Sequence, residues 1–433
     1  MITQDFQKLA GQIWEKCSHF CLYVFFPSLT LTLVQIVMIY LWTHRGDYAT
    51  TFPALSQRDS FWYLSILRHG YQFFGFHVIN FEQSNAAFFP GYPIAVAWVS
   101  SLLGISHEIG LYVTAHLFCC WMWIYIFLFF RRWQIPIFWQ ILASLVILIY
   151  PTAFFLNVGY SESLFMASLL GFLYWSHYTD APLLMVVAGI HGLVMSATRI
   201  VGLPVALVPA FYALKGDSGS RRRRLFWAGA AIFLGLLGGL SFFLYCQVRF
   251  GRWDLYLEMQ RYFTGVRANY WAIFQPKTYL LSQNYWQKLL SLQAALTDQG
   301  WADPLSQLFV PITLGSLLVT GLLDGVSVLL GKSEKWQERL SFHVAAWVMF
   351  YIAVSGMSPL IQKSMSRYCL PVHSVQVLGL VHWLKHTDMS GIPEGVRPYL
   401  GEVLKVLYVL VVQVFLALNL FLTWRYVRHL WVA

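Results

Sequence analysis

The chain has 433 residues, of which 58% are hydrophobic, 18% aromatic and only 11% charged, with a formal charge of +10. Soluble domains carry about 25% charged and 45–50% apolar residues, so a soluble globule is excluded. A mean hydropathy of +0.58 over the whole length also excludes a soluble domain on one anchor, because a single ~20-residue span cannot lift the average that far. The 29 basic residues are scattered, with no basic amphipathic stretch or zinc pattern, so no nucleic-acid partner is expected. Cys17, Cys21, Cys119, Cys120, Cys246 and Cys369 lie in or beside apolar runs without metal-ligand spacing, which reads as core packing.

In chain order, Cys21–Trp42 reads as a retained signal-anchor span, since it follows a polar segment and lacks a small-residue cleavage site. The stretch from Arg45 to Ala87 is too polar to cross. Phe88–Leu103 is short and interrupted by Pro90 and Pro93, so it reads as interfacial. The spans that follow are Leu111–Phe130, Ile137–Leu156, Leu164–His177, Pro182–Ala197, Val201–Leu214, Phe226–Tyr245, Leu308–Leu330, Ser341–Val354, Cys369–Leu384 and Val403–Trp424. With Phe88–Leu103 left out, Arg131–Arg132, Lys215, Arg221–Arg224, Lys332, Lys335 and Arg339 all face the cytoplasm, as short-loop basic residues do. The expectation is an all-α polytopic membrane protein of about eleven spans. Residues 1–433 form one membrane-embedded domain, with outer loops of about 45–110 and 247–304.

On that topology four ionisable residues fall at the outer ends of spans, where hydrocarbon makes them costly unless paired or in a wet cavity. They are Asp59, Glu162, Arg199 and Arg367. Arg58–Tyr71 reads as a helix along the outer surface, with Phe61, Leu64, Leu67 and Arg68 at spacings of three and four and interface-favouring rings at Trp62 and Tyr63. Asp59 at its start fits either a helix cap or a general base, and Glu162 fits either favourable placement at a helix start or a site role. Arg199, between two short runs, calls for a carboxylate or phosphate partner. Of the outer-loop Arg249, Arg252, Arg261 and Arg267, one or two are expected to touch substrate. His69, His77, His107, His116 and His373 show no metal-ligand spacing.

These residues form a set. Asp59-Ser60-Phe61-Trp62-Tyr63-Leu64-Ser65-Ile66-Leu67-Arg68-His69-Gly70-Tyr71 resembles the Trp-Asp…Ile-Ala-x-x-Gly-Tyr motif of the PIG-V-like mannosyltransferases, which add the second mannose in glycosylphosphatidylinositol assembly. Phe88-Phe89-Pro90-Gly91-Tyr92-Pro93, Tyr160-Ser161-Glu162-Ser163-Leu164-Phe165, Ala197-Thr198-Arg199-Ile200-Val201-Gly202-Leu203 and Ser366-Arg367-Tyr368 are similar to that family's further elements, in the same order. Arg58 stands where the family has Trp, and Ser366 where it has Pro. The chain has no Asn-x-Ser/Thr sequon, which suits a bacterial homologue of the inner membrane; a eukaryotic one would sit in the endoplasmic reticulum.

The resemblance implies a GT-C glycosyltransferase working at the outer or lumenal face with inversion. It would take a polyprenyl-phosphate sugar, most simply mannose, as donor and a glycolipid or glycan as acceptor, within membrane lipid and with no metal or other cofactor. Asp59 would be the general base, with Glu162, Arg199, Arg367, Tyr160, Trp62 and Tyr368 binding substrate. The alternative is a transporter or flippase of a lipid-linked anion, although the internal repeats common in transporters are missing.

Overall fold

The computed structural model describes residues 15–43, 47–78, 81–213, 218–264, 268–329, 336–357, 364–386, 397–430 and 432. Lys215, Arg267, Lys332 and Lys335 lie outside the described residues. The principal helices are α1 (Phe26–Thr43), α2 (Asp59–His69), α3 (Gly91–Leu103), α4 (His107–Arg132), α5 (Ile137–Leu148), α6 (Glu162–Trp175) and α7 (Pro182–Thr198). They continue as α8 (Ser218–Phe250), α9 (Leu255–Thr264), α10 (Gln283–Leu290), α11 (Ala302–Leu329), α12 (Trp336–Met357), α13 (Met365–His386) and α14 (Arg397–Val427). Between α2 and α3 a short hairpin pairs β1 (Phe73–Val78) antiparallel with β2 (Phe81–Ser84).

Six helical segments among the described residues are long and apolar enough to cross a membrane: Glu15–Thr43, His107–Arg132, Arg221–Phe250, Gln299–Leu329, Glu338–Gly356 and Tyr408–Val427. At 13 residues, α3 is roughly 20 Å long, short of the ~30 Å hydrocarbon layer. The expected span 201–214 is not one helix. It is two one-turn pieces, Gly202–Val205 and Pro209–Ala213, and Pro209 lacks the N–H that a continuing helix would bond to the Val205 carbonyl. Likewise α5 stops at Leu148 ahead of Pro151, and Ala153–Leu156 forms a separate 3-10 turn.

The centre of the molecule is α6, in which every residue from Glu162 to Leu173 is buried. Such a helix must be wrapped by protein on all sides: α4 and α7 flank it, α8 packs on α7, and α1 on α4, while α13 lies between α11 and α12. Where α7 meets α8 the backbones nearly touch. A Cβ on Gly238 would lie 2.0 Å from the Leu193 carbonyl oxygen, the close approach that small residues permit between membrane helices. Ser196 clamps the crossing, donating to the Gly235 carbonyl (2.5 Å) and accepting from the Gly239 N–H (2.9 Å).

Buried charge collects at both ends of α13. Arg367 is near its start. His382, fifteen residues on, lies roughly 22 Å away along the axis. There Arg339 donates to Asp324 (2.7 Å) and lies 3.1 Å from His382, while Trp133 donates to Glu338 (2.8 Å), which also faces Arg132 at 3.5 Å. Arg132 and Arg339 thus sit at the opposite end of the bundle from Arg367.

Three of the six cysteines, Cys119, Cys246 and Cys369, are buried, whereas Cys17 and Cys21 are exposed, which corrects the expectation that all pack in a core.

Candidate active site

The site begins with two turns that are distant in sequence and joined by hydrogen bonds. Ser60 donates to the Gly159 carbonyl (3.2 Å), and the Tyr160 hydroxyl donates to the Gln57 carbonyl (3.1 Å). This stitching sets the first residue of α2 beside the first residue of α6. Those residues are Asp59 and Glu162. Asp59 does not cap its helix: the cap position belongs to Arg58, which makes no side-chain capping bond and holds φ 53°, ψ −113°, a conformation that side chains with a Cβ avoid and that clusters at functional sites.

Arg367 joins the two carboxylates. Its Nη2 donates to Asp59 Oδ2 at 2.6 Å, and its Nε donates to Glu162 Oε1. The backbone behind it is pinned, since the hydroxyls of Tyr150 and Thr152 both donate to the Ser366 carbonyl (2.9 Å each) and Ser306 pairs with the Ser366 hydroxyl at 3.1 Å. Its guanidinium carbon lies 4.6 Å from the centre of the Tyr160 ring, a favourable cation–π distance. Arg199 ends α7 in extended conformation and donates through Nη2 to the same Glu162 oxygen and through Nε to Ser161 at 3.2 Å. The start of α3 fits against this helix end so closely that a Cβ on Gly91 would lie 2.7 Å from the Ala197 carbonyl. The Phe-Phe-Pro-Gly-Tyr-Pro element therefore abuts the one that carries Arg199.

Asp59, Arg199, Arg367 and Tyr368 line one cavity of about 490 Å3, closed by apolar groups including Phe88, Phe165, Val201 and Met349. Glu162 does not reach it. Fully buried, it stands behind the two arginines, and its Oε2 has no hydrogen-bond partner among the described residues. A carboxylate so placed supplies countercharge to the two guanidiniums and fixes their direction. Tyr160 likewise lies outside the lining and supports Arg367 from beneath. Trp62 also misses the cavity and stacks on Phe88, ring centres 6.0 Å apart. These three residues, expected among the substrate contacts, do not line the cavity.

One wall was not anticipated. The short helix α9, in the stretch between α8 and α11, buries Leu255, Tyr256 and Met259 against Ala86, Ala87 and Phe89 and ties down through Gln260, which donates to the Ala87 carbonyl (2.8 Å). Burial raises the Tyr256 phenol well above its ordinary range, so it acts as a neutral hydroxyl. Glu258 and Arg261 of this helix face the cavity. In sequence Arg261 was one of four loop arginines of which one or two were expected to touch substrate, and Glu258 was not singled out; their three-residue spacing on a strongly two-faced ten-residue stretch is the signal that could have placed them on one face.

No family model matches the chain, and no curated protein matches it, so the site's chemistry rests on its own residues.

Proposed function

We propose that the chain is a membrane-embedded GT-C glycosyltransferase that moves a sugar, mannose in the simplest case, from a polyprenyl phosphate to an acceptor hydroxyl, with inversion, at the outer face. The observation that carries this reading is the placement of one carboxylate, Asp59, and two anchored arginines, Arg199 and Arg367, on a single partly apolar cavity. Transfer with inversion needs a base for the acceptor proton, fixed positive charge for the departing phosphate, and an apolar surface for the lipid.

The chemistry balances with these groups. As the acceptor oxygen bonds to the anomeric carbon, its proton passes to Asp59, whose Oδ1 is left available because Arg367 engages Oδ2. The bond from the anomeric carbon to the phosphate oxygen breaks and its electron pair stays on the phosphate. The extra negative charge falls where the guanidiniums are already held in place, so little reorganisation is required. A lipid phosphate is a capable leaving group, and the reading involves no metal. The resemblance to PIG-V-like mannosyltransferases supports the same assignment and favours an inner-membrane setting.

The test is transfer of radiolabelled sugar in membranes offered polyprenyl-phosphate mannose and polyprenyl-phosphate glucose in parallel. Label is expected to leave one donor for a glycolipid or glycan. Label that stays on intact donor, crossing sealed vesicles instead, supports the transporter alternative and contradicts the transferase.

A further inference from the structure

Among the described residues three arginines line the cavity, and two of them are committed. Arg367 bridges Asp59 and Glu162, and Arg199 shares Glu162, so the inner set of two cations and two carboxylates is neutral. The third, Arg261 on α9, is 43% exposed and meets only Glu258 among the ion pairs of the described residues, at 3.6 Å and without a hydrogen bond. A pair of that length and exposure is weak and easily exchanged.

We propose that Arg261 is the exchangeable cation of the site: on substrate binding it leaves Glu258 and pairs with the phosphate of the lipid-linked substrate. This rests on the reading of a lipid phosphate as leaving group. The charge distribution favours such a group, because the phosphodiester brings one negative charge beside a neutral inner set, and the charge it gains as the sugar departs falls on the phosphate while the acceptor proton goes to Asp59. The helix is suited to the task. Its opposite face is locked into the protein by Leu255, Tyr256 and Met259, so Arg261 can change partner without α9 moving, and its side chain can be altered without loosening the fold.

The experiment measures binding of farnesyl phosphate, with farnesol as the uncharged control, to the purified full-length protein in detergent. Wild type is expected to prefer the phosphate. Arg261→Ala should lose about tenfold in affinity for it, the worth of one charge-assisted contact, with farnesol binding unchanged. Arg261→Lys should recover much of the loss, and Glu258→Gln should bind the phosphate more tightly than wild type. Undiminished phosphate preference in Arg261→Ala overturns the assignment and leaves the lipid-phosphate reading standing, with the inner arginines as its sole anchors. Weaker binding by Glu258→Gln contradicts the exchange of partners. If wild type does not distinguish farnesyl phosphate from farnesol, the lipid-phosphate reading falls and Arg261 with it.

Discussion

Glu162 carries two guanidiniums on one oxygen in a fully buried position, and removing one partner from such a cluster leaves uncompensated buried charge. Glu162→Gln is therefore expected to destabilise the protein by about 3–5 kcal/mol, seen as a lower unfolding temperature in detergent before any assay of activity. Asp59 differs. Its side chain is 23% exposed at the cavity, so Asp59→Asn should unfold close to the wild-type temperature. Equal losses in the two variants would mean that Asp59 is as structural as Glu162. The sequence made all four charged residues legible as misplaced in lipid, but not which stand in front and which behind. That order depends on Ser60 meeting Gly159 and Tyr160 meeting Gln57 across about a hundred residues, and no local pattern carries it.

Among elements, the crossing of α7 and α8 makes the sharpest steric demand. Gly238→Ala forces a methyl group onto a backbone carbonyl that cannot swing aside, and overpacking of this kind costs about 1–3 kcal/mol. Gly229→Ala on the same helix meets nothing within 4 Å and should be neutral or slightly stabilising. Thermal unfolding of the two variants checks the pair, and equal behaviour would contradict the close crossing. Elements were legible where an apolar run was uninterrupted: Leu111–Phe130 lies within α4 and Phe226–Tyr245 within α8. Prolines altered two others, dividing 201–214 and ending α5 early. For α2 the helix was readable over Arg58–Tyr71, against Asp59–His69 in the structure, but its inward face was not. Phe61 points outward, 59% exposed, while Ser60, Tyr63, Leu64 and Ile66 are buried, because contacts with α3 and α4 override the simple apolar stripe.

For the whole molecule, the two charge clusters at opposite ends of α13 give the bundle a polarity. Arg132 and Arg339 mark one end, and Asp59 with Arg367 the other. Basic residues favour the cytoplasmic side, and the proposed placement of the cavity at the outer face rests on that tendency. A single cysteine at the exposed Arg222, on a background without native cysteines, should resist a membrane-impermeant thiol reagent in sealed cells, whereas one at the exposed Leu292 should react. The reverse pattern would invert the orientation. The convergence of Asp59, Glu162, Arg199 and Arg367 was expected only through topology, and α9 as a wall of the cavity was not legible, since its seat on Ala86, Ala87 and Phe89 joins two segments far apart in the chain.

The central claim is that Asp59 takes the acceptor proton during sugar transfer. It is tested most directly by single-turnover transfer from radiolabelled polyprenyl-phosphate sugar, comparing purified wild type with Asp59→Asn at equal donor occupancy. The variant is expected to bind donor and to lose transfer by a factor of about 10²–10⁴, the usual worth of a positioned base. Turnover within a few-fold of wild type at full occupancy would contradict it.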